Sequence, residues 1–249
     1  MGTRCGVSLG YGPVVPTRRP DPTLEVEERC WAAGDTVVCG LDEVGRGAWA
    51  GPATIAAVVP GREPIPGVRD SKQMSPAARE RGAAAVRTWA AAIGVGHASP
   101  RECDELGMTG ALRLAGLRAL AEVEARGYVP DRILLDGTHD FLGLGARVTT
   151  IVKGDATCLS IAAASVIAKV TRDALMAEAA EHFPAYGFEG NKGYPAPVHQ
   201  MALNGYGPTT FHRTSWSYVD DLPFHTLEPP PGRLLAGSGR VRNPGRRAG

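Results

Sequence analysis

Short apolar runs alternate along this chain with longer segments in which apolar residues recur at helical spacing. The short runs predict buried strands at residues 37–41, 53–59, 93–97, 133–135 and 148–152. The longer segments predict helices at residues 24–33, about 75–92, about 110–126 and 157 to about 180. Strands first, and then strands mixed with helices, favour an α/β domain with a mixed central sheet.

Local signals mark the ends of two of these helices. Ser75 offers an N-cap, and Pro76 suits the first helical position. The helix at about 110–126 is predicted to stop at Gly127, with Pro130 behind it. Its apolar residues include four that share one face, Ala111, Leu114, Leu117 and Ala121.

The composition suits one folded domain with loose ends. A chain of 249 residues that is 43% hydrophobic can bury a core of ordinary size. Residues 1–21 hold several Gly and Pro, and residues 229–249 carry five arginines and no acidic residue. We therefore expect a flexible N-terminal tail at 1–21, a catalytic domain at 22–222, and a disordered C-terminal tail at 223–249. The basic tail is interpreted as a solvated end, with a nucleic-acid-binding arm as the alternative.

Charge and cysteine content exclude several classes of protein. A net charge of +1 gives no strong field towards a polyanion or a membrane, so any site for nucleic acid must be local. The five cysteines are scattered, with no Cys-x-x-Cys pair, which argues against a disulfide framework or a structural zinc. No apolar run approaches the ~18 residues that would span a bilayer. We expect a soluble, cytoplasmic protein without a membrane partner.

Acidic residues follow three of the predicted strands. Asp42 and Glu43 come after Leu41, Asp136 comes after the run at 133–135, and Asp155 comes soon after the run at 148–152. Ligands of α/β sheets gather at strand ends, so these four carboxylates are candidates for one site. Their mutual repulsion would call for a divalent cation, and oxygen ligands suit Mg²⁺ or Mn²⁺. Taken singly, Asp136 could belong to a turn and Asp155 could cap the next helix.

A glycine-flanked arginine, Gly45-Arg46-Gly47, follows the first acidic pair. The glycines let backbone N–H groups approach an anion closely, and the arginine can fork onto phosphate oxygens. A lone Gly-Arg-Gly is a weak signal. Directly behind two carboxylates it becomes more specific, because a metal site needs its anionic substrate brought alongside.

Six motifs resemble prokaryotic ribonuclease HII, in the order typical of that family and over about residues 36–217. They are DEVGRG at 42–47, DSK at 70–72, LLDG at 134–137, KGD at 153–155, IAAASVIAKVTRD at 161–173 and NGYGPTTFHRTSW at 204–216. The resemblance implies a ribonuclease H-like fold, a mixed sheet flanked by helices with a C-terminal helical or irregular segment. It also implies an endoribonuclease that cleaves the RNA strand of RNA–DNA hybrids and single ribonucleotides embedded in DNA.

The same resemblance implies a role for each matched residue. The catalytic, metal-binding acids are expected to be Asp42, Glu43, Asp136 and Asp155. Backbone groups of Gly45, Arg46 and Gly47 are expected to recognise the ribose 2′-OH, Tyr194 to pack on the next deoxyribose, and Ser71 and Lys72 to contact phosphates. For Lys72 a solvated loop lysine is the alternative, and Pro195 biases Tyr194 towards extended backbone. Support or packing roles are expected for His199, His212 and Arg213.

The chemistry implied is hydrolysis of a phosphodiester with two Mg²⁺ or Mn²⁺ ions, which leaves 3′-OH and 5′-phosphate ends. The expected partners are RNA–DNA hybrid and ribonucleotide-containing duplex DNA, with the protein a monomer that acts in ribonucleotide removal during DNA replication and repair. Three alternatives stay open. They are an actin-like phosphotransferase, a metal-dependent nuclease acting on DNA junctions, and a non-catalytic nucleic-acid-binding module.

Overall fold

A computed structural model describes residues 21–223 of the chain, so the predicted tails lie outside the described residues apart from their innermost positions. A five-stranded sheet forms the centre of the domain, in the order β3-β2-β1-β4-β5. Its strands are β1 Val38–Val44, β2 Ala53–Val59, β3 Ala92–Ala98, β4 Arg132–Asp136 and β5 Val148–Ile151. β2 runs antiparallel to both of its neighbours, β1 and β3, whereas β4 and β5 extend the sheet in parallel from β1. The predicted mixed sheet is confirmed.

The helices are α1 Glu25–Ala32, α2 Pro76–Trp89, α3 Pro100–Ala125, α4 Leu159–His182, α5 Phe188–Asn191 and α6 Pro197–Tyr206. α3 begins at Pro100, earlier than predicted, because Ser99 and Glu102 form a capping box around its first turn. Gly107, with φ of 67°, interrupts the helical backbone inside α3. α2 ends at Trp89, before the predicted end, and β3 begins at Ala92.

Two helical layers cover the two faces of the sheet. α3 packs on one face in a cluster with alternate residues of β2, including Ile55 and Ala57. α2 and α4 cover the other face, against the intervening β2 residues Ala56 and Val58. The sequence prediction for the α3 face is confirmed for Ala111 but wrong for Leu117 and Ala121, which are exposed. The buried residues of α3 in this cluster are Ala111, Leu112, Ala115, Ala119, Leu120 and Val123.

The C-terminal part of the described chain packs as a third cluster on the end of α4. Buried aromatic residues fill this cluster, among them Tyr186, Phe188 and Tyr218. Asp104 of α3 fixes the far end of this segment by accepting hydrogen bonds from the backbone and hydroxyl groups of Thr214 and Ser215. The predicted C-terminal helical and irregular segment is therefore confirmed, and it lies beside the loop that joins β1 to β2.

Among residues 21–223 we find no helix with both the length and the apolar character needed to cross a membrane.

Candidate active site

The first acidic pair lies inside β1 rather than beyond its end. β1 pairs with β4 only from Val38 to Leu41, but its antiparallel pairing with β2 continues through Asp42 and Glu43 to Val44. Asp42 and Glu43 therefore lie where β1 is still paired with β2 but no longer with β4. Asp136 is the last residue of β4, one step beyond the Leu41–Leu135 pair, which sets it beside Asp42.

Asp155 reaches the same place from a short turn between β5 and α4. The turn spans Gly154–Ala156, and the N-terminal cap of α4 is Cys158, so the alternative of Asp155 as the helix cap is wrong. The backbone N–H of Gly154 donates a 2.7 Å hydrogen bond to Asp136 Oδ1. That bond ties the end of β4 to the turn that carries Asp155.

Burial and mutual repulsion raise the pKa of three of the carboxyl groups, those of Asp42, Glu43 and Asp155. Asp42 is only 4% exposed, and its pKa lies well above the usual range because of burial first and the neighbouring Glu43 second. Burial also raises the pKa of Glu43, although Arg46 opposes the shift. The pKa of Asp155 rises to about 6 through burial and then repulsion by Asp136. The protein therefore holds negative charge here at an energetic cost that a cation would relieve.

The donor set suits a hard divalent cation. Within residues 21–223, no group of three or more His, Cys, Asp or Glu side chains is placed so that it could hold a metal ion. Mg²⁺ commonly takes only one or two carboxylates and completes its shell with water and substrate phosphate. The carboxylate oxygens of Asp42, Glu43, Asp136 and Asp155 fit that mode of binding.

The Gly45–Gly47 loop meets Tyr194 across a sequence separation of 149 residues, where the backbone N–H of Gly45 donates a 3.2 Å hydrogen bond to Tyr194 Oη. The loop is also tied to the chain before Tyr194, since the N–H groups of Trp49 and Ala50 donate to the Gly193 carbonyl at 2.8 and 3.1 Å. The proline after Tyr194 leaves this arrangement intact. The Arg46 side chain points outward, with Nη1 3.7 Å from Glu43 Oε1.

Ser71 and Lys72 occupy a short turn, Ser71–Gln73, which the Asp70 side chain caps by accepting from the Lys72 N–H at 2.9 Å. The Lys72 side chain is 77% exposed, with Nζ 3.9 Å from Asp155 Oδ2. Burial acts to lower its pKa, but attraction to Asp42 and Asp155 outweighs this and raises it. The Ser71 hydroxyl instead turns inward, 2.9 Å from the hydroxyl of Ser165.

Residues that sequence reasoning missed lie on α4. The Ser165 hydroxyl hydrogen-bonds to the Asp42 carboxylate and partly offsets the rise in its pKa. Seven residues further on, Arg172 is fully buried and donates to three backbone carbonyls near the site. The available signal was the spacing, because Ser165 and Arg172, seven residues apart, share a face of the helix.

Two buried histidines support Tyr194 from behind. The Thr209 N–H donates to His212 Nδ1 at 3.0 Å, so the neutral His212 carries its proton on Nε2. That proton is directed at His199 Nε2, 3.0 Å away, and His199 Nδ1 then donates to the Tyr194 carbonyl at 2.9 Å. Burial, reinforced by His199, lowers the pKa of His212 to about 3. Both rings therefore stay neutral near pH 7, as the support role expected for them requires.

The chain is similar to known proteins over most of its length. The family profile described as Ribonuclease HII matches residues 39–219. Ribonuclease HII from Streptomyces coelicolor is 48% identical over 210 residues, covering 84% of this chain and 88% of the relative. Ribonuclease HII from Cereibacter sphaeroides is 46% identical over 203 residues, covering 81% and 93%. The solved structure of ribonuclease H2 from Pyrococcus horikoshii matches with a TM-score of 0.63 at 28% identity, covering 75% of this chain and 96% of that one.

Three observations identify the same family. They are the ribonuclease H-like architecture, the carboxylates gathered at the end of β1 and β4, and the similarity to relatives over more than four fifths of the chain. The chain belongs to the ribonuclease HII family and is a metal-dependent endoribonuclease of the ribonuclease H type.

Proposed function

We propose that this enzyme hydrolyses the RNA strand of RNA–DNA hybrids and cuts duplex DNA on the 5′ side of single embedded ribonucleotides, leaving 3′-OH and 5′-phosphate ends. The observation that carries the proposal is the contact between Gly45 and Tyr194 directly beside the acidic cluster. A group able to recognise a ribose thus adjoins a group able to bind metal. Family membership favours this activity over a phosphotransferase, a DNA-junction nuclease or a non-catalytic binding module.

The acidic cluster would supply the metal ligands. Asp42, Glu43, Asp136 and Asp155 would hold Mg²⁺ or Mn²⁺. The pKa values of Asp42, Glu43 and Asp155 are raised, first by burial and then by neighbouring carboxylates, and a bound cation would oppose both effects. Two such ions, when bound, activate a water molecule and stabilise the leaving 3′ oxygen. Ser165 would keep the Asp42 carboxylate oriented through its hydrogen bond.

Recognition of the substrate would fall to the groups around the cluster. Lys72, exposed and beside Asp155, would meet a phosphate as a point charge. Arg46 lies on the solvent side of Glu43 and would meet another phosphate, whereas the inward hydroxyl of Ser71 would act through Ser165.

Selectivity for ribose would come from the Gly45–Tyr194 pair. The Tyr194 oxygen already accepts from the Gly45 N–H, and the Tyr194 hydroxyl could in turn donate to a ribose 2′-OH, which both donates and accepts. A deoxyribose would leave these polar groups without the additional partner. A site built to bind a hydroxyl rejects the analogue that lacks it far better than an apolar pocket rejects an extra one.

The test is cleavage of a DNA duplex that contains one ribonucleotide, beside an all-DNA duplex of the same sequence, with Mg²⁺, Mn²⁺ or a chelator. We expect a single cut on the 5′ side of the ribonucleotide with either metal, and no cut in the all-DNA duplex. Equal cutting of both duplexes, or no cutting of either by folded protein, would refute the proposal.

A further inference from the structure

Arg172 of α4 joins the two sides of the ribose-recognition cleft, by which we mean the space between the Gly45–Gly47 loop and Tyr194. Its side chain is fully buried. Nε donates to the Pro52 carbonyl at 2.8 Å and Nη2 to the Ala50 carbonyl at 3.0 Å, both in the β1–β2 loop. Nη1 donates to the Lys192 carbonyl at 2.8 Å, two residues before Tyr194. One planar guanidinium therefore holds both chain segments.

The same guanidinium touches the recognition groups themselves. Its Cζ lies 5.6 Å from the centroid of the Tyr194 ring, within the range of a cation–π contact. On the other side, Gly45 has φ of 85°, and a Cβ built there would collide with Arg172 Nε. The backbone of the loop can approach this closely only because residue 45 has no side chain.

Burying this cation needs a specific explanation. All three of its hydrogen bonds within the described residues go to backbone carbonyls, and burial lowers its pKa to about 10. A charge in such surroundings is expensive to keep. A lysine would retain the charge but could not present three donors in one plane.

We propose that Arg172 is a positioning residue that sets the width of the ribose-recognition cleft and so the preference for a single ribonucleotide in DNA. The inference rests on the proposed function of Gly45 and Tyr194. Arg172 acts through those two residues, since its side chain is fully buried and each of its three nitrogen atoms donates to the protein backbone.

The first experiment measures motion rather than activity, by hydrogen exchange in wild type, Arg172→Lys and Arg213→Lys. Arg213 is the matched control, because it is also fully buried and donates to carbonyls, at Arg46 and Gly51, in the β1–β2 loop alone. Arg172→Lys is expected to speed exchange both in residues 45–52 and in residues 192–195. Arg213→Lys is expected to speed exchange mainly in residues 45–52. Equal patterns in the two variants would overturn the proposal.

The second experiment is a double-mutant cycle on the single-ribonucleotide duplex. Arg172→Lys is expected to lower kcat/KM about tenfold or more, since a displacement of about 1 Å can cost that much, with Mn²⁺ affinity measured by calorimetry changed less than about twofold. In a Tyr194→Ala background the same change is expected to cost less than about twofold, because the group it positions is gone. An equal loss in both backgrounds would mean that Arg172 serves stability only.

If Arg172→Lys does not fold, Gly45→Ala tests the same contact from the loop side, and it is expected to show the same non-additivity with Tyr194→Ala. Additive losses for that pair would overturn the proposal. The failure of the proposed function is distinguishable, because in that case the wild type itself would not cleave the duplex, while the exchange experiment would still report on Arg172.

Discussion

Replacing Asp155 by asparagine is predicted to stabilise the metal-free protein while removing its activity. The pKa of Asp155 rises from an ordinary 3.8 to about 6 in the folded protein, so the folded state holds a proton more tightly than the unfolded chain does. Below pH 3.8 Asp155 is protonated in both the folded and the unfolded state, so its ionisation does not affect the free energy of unfolding. That free energy then falls as the pH rises from 3.8 through about 6, where the folded protein loses the proton. At about 1.4 kcal/mol per pKa unit, keeping Asp155 ionised costs the fold about 1–3 kcal/mol at pH 8, with the solvent-screened value at the lower end.

The assay is urea unfolding in a chelator at pH 4 and pH 8. Asp155→Asn is expected to exceed the wild type by about 1–3 kcal/mol at pH 8 and to match it near pH 4. The control is Asp131→Asn, because hydrogen bonds from the Thr36 side chain and the Val37 and Thr36 N–H groups lower the pKa of Asp131, and this change should destabilise at pH 8. Adding Mn²⁺ should stabilise the wild type more than Asp155→Asn. If Asp155→Asn is less stable than the wild type at pH 8 in chelator, the electrostatic reasoning is wrong.

Three further predictions concern the ribose-recognition cleft and the two histidines that pack behind Tyr194. Gly45→Ala should lower the free energy of unfolding by about 1–2 kcal/mol or more, because φ of 85° disfavours a side chain. Gly47→Ala is the control, since the added carbon would meet open space, and it should change the free energy of unfolding in urea by less than about 0.5 kcal/mol. Equal losses in the two variants would contradict this prediction. Tyr194→Phe should lower kcat/KM on the single-ribonucleotide duplex about tenfold and leave Mn²⁺ affinity unchanged, and an unaltered rate would remove the hydroxyl from recognition. Burial lowers the pKa of His199 and His212, so below about pH 6.5 the unfolded chain binds protons that the folded state does not. The free energy of unfolding should therefore decrease, as the pH is lowered, by up to about 1.4 kcal/mol per pH unit for each proton, and His212→Gln should make this dependence less steep. An unchanged slope would mean that other groups control acid unfolding.

The fold could be predicted from sequence where local pattern and tertiary packing agree. The strands at 53–59 and 133–135 are apolar on both faces because helices cover both sides of the sheet, and continuous apolar runs reported this directly. The pattern was misleading for β1, since Asp42 and Glu43 end the apolar run while the pairing with β2 continues. The charged residues end the apolar pattern at Leu41, but β1 continues to Val44.

The acidic part of the site was visible in the sequence because each carboxylate interrupts or follows an apolar run. The contacts that organise it were hidden, because the Gly45–Tyr194 hydrogen bond joins residues 149 positions apart. Arg172 was equally hidden, since an arginine on a long helix is ordinarily a surface residue. Only the tertiary structure shows that its helix face turns towards the β1–β2 loop.

The cations near the site differ in their burial and in their partners. Lys72 and Arg46 lie at the surface of the acidic cluster, where they partly offset its charge. Arg172 and Arg213 are fully buried, and their hydrogen bonds among the described residues go only to backbone carbonyls. We therefore expect substitutions of the first pair to change the salt dependence of substrate binding, and those of the second pair to change the shape of the site.

We infer that the carboxylates at the end of β1 and β4 carry out metal-dependent cleavage of a ribonucleotide-containing strand. The most direct measurement is the rate at which wild type and Asp42→Asn cut the RNA strand of an RNA–DNA hybrid in Mg²⁺, with urea unfolding to show that both are folded. We expect the wild type to cut and a chelator to abolish the cutting. Asp42→Asn is expected to cut at least about a thousandfold more slowly, as for the loss of several kcal/mol of transition-state stabilisation. A folded Asp42→Asn that cuts at the wild-type rate, or a wild type that cuts equally well in chelator, would refute the assignment of these carboxylates.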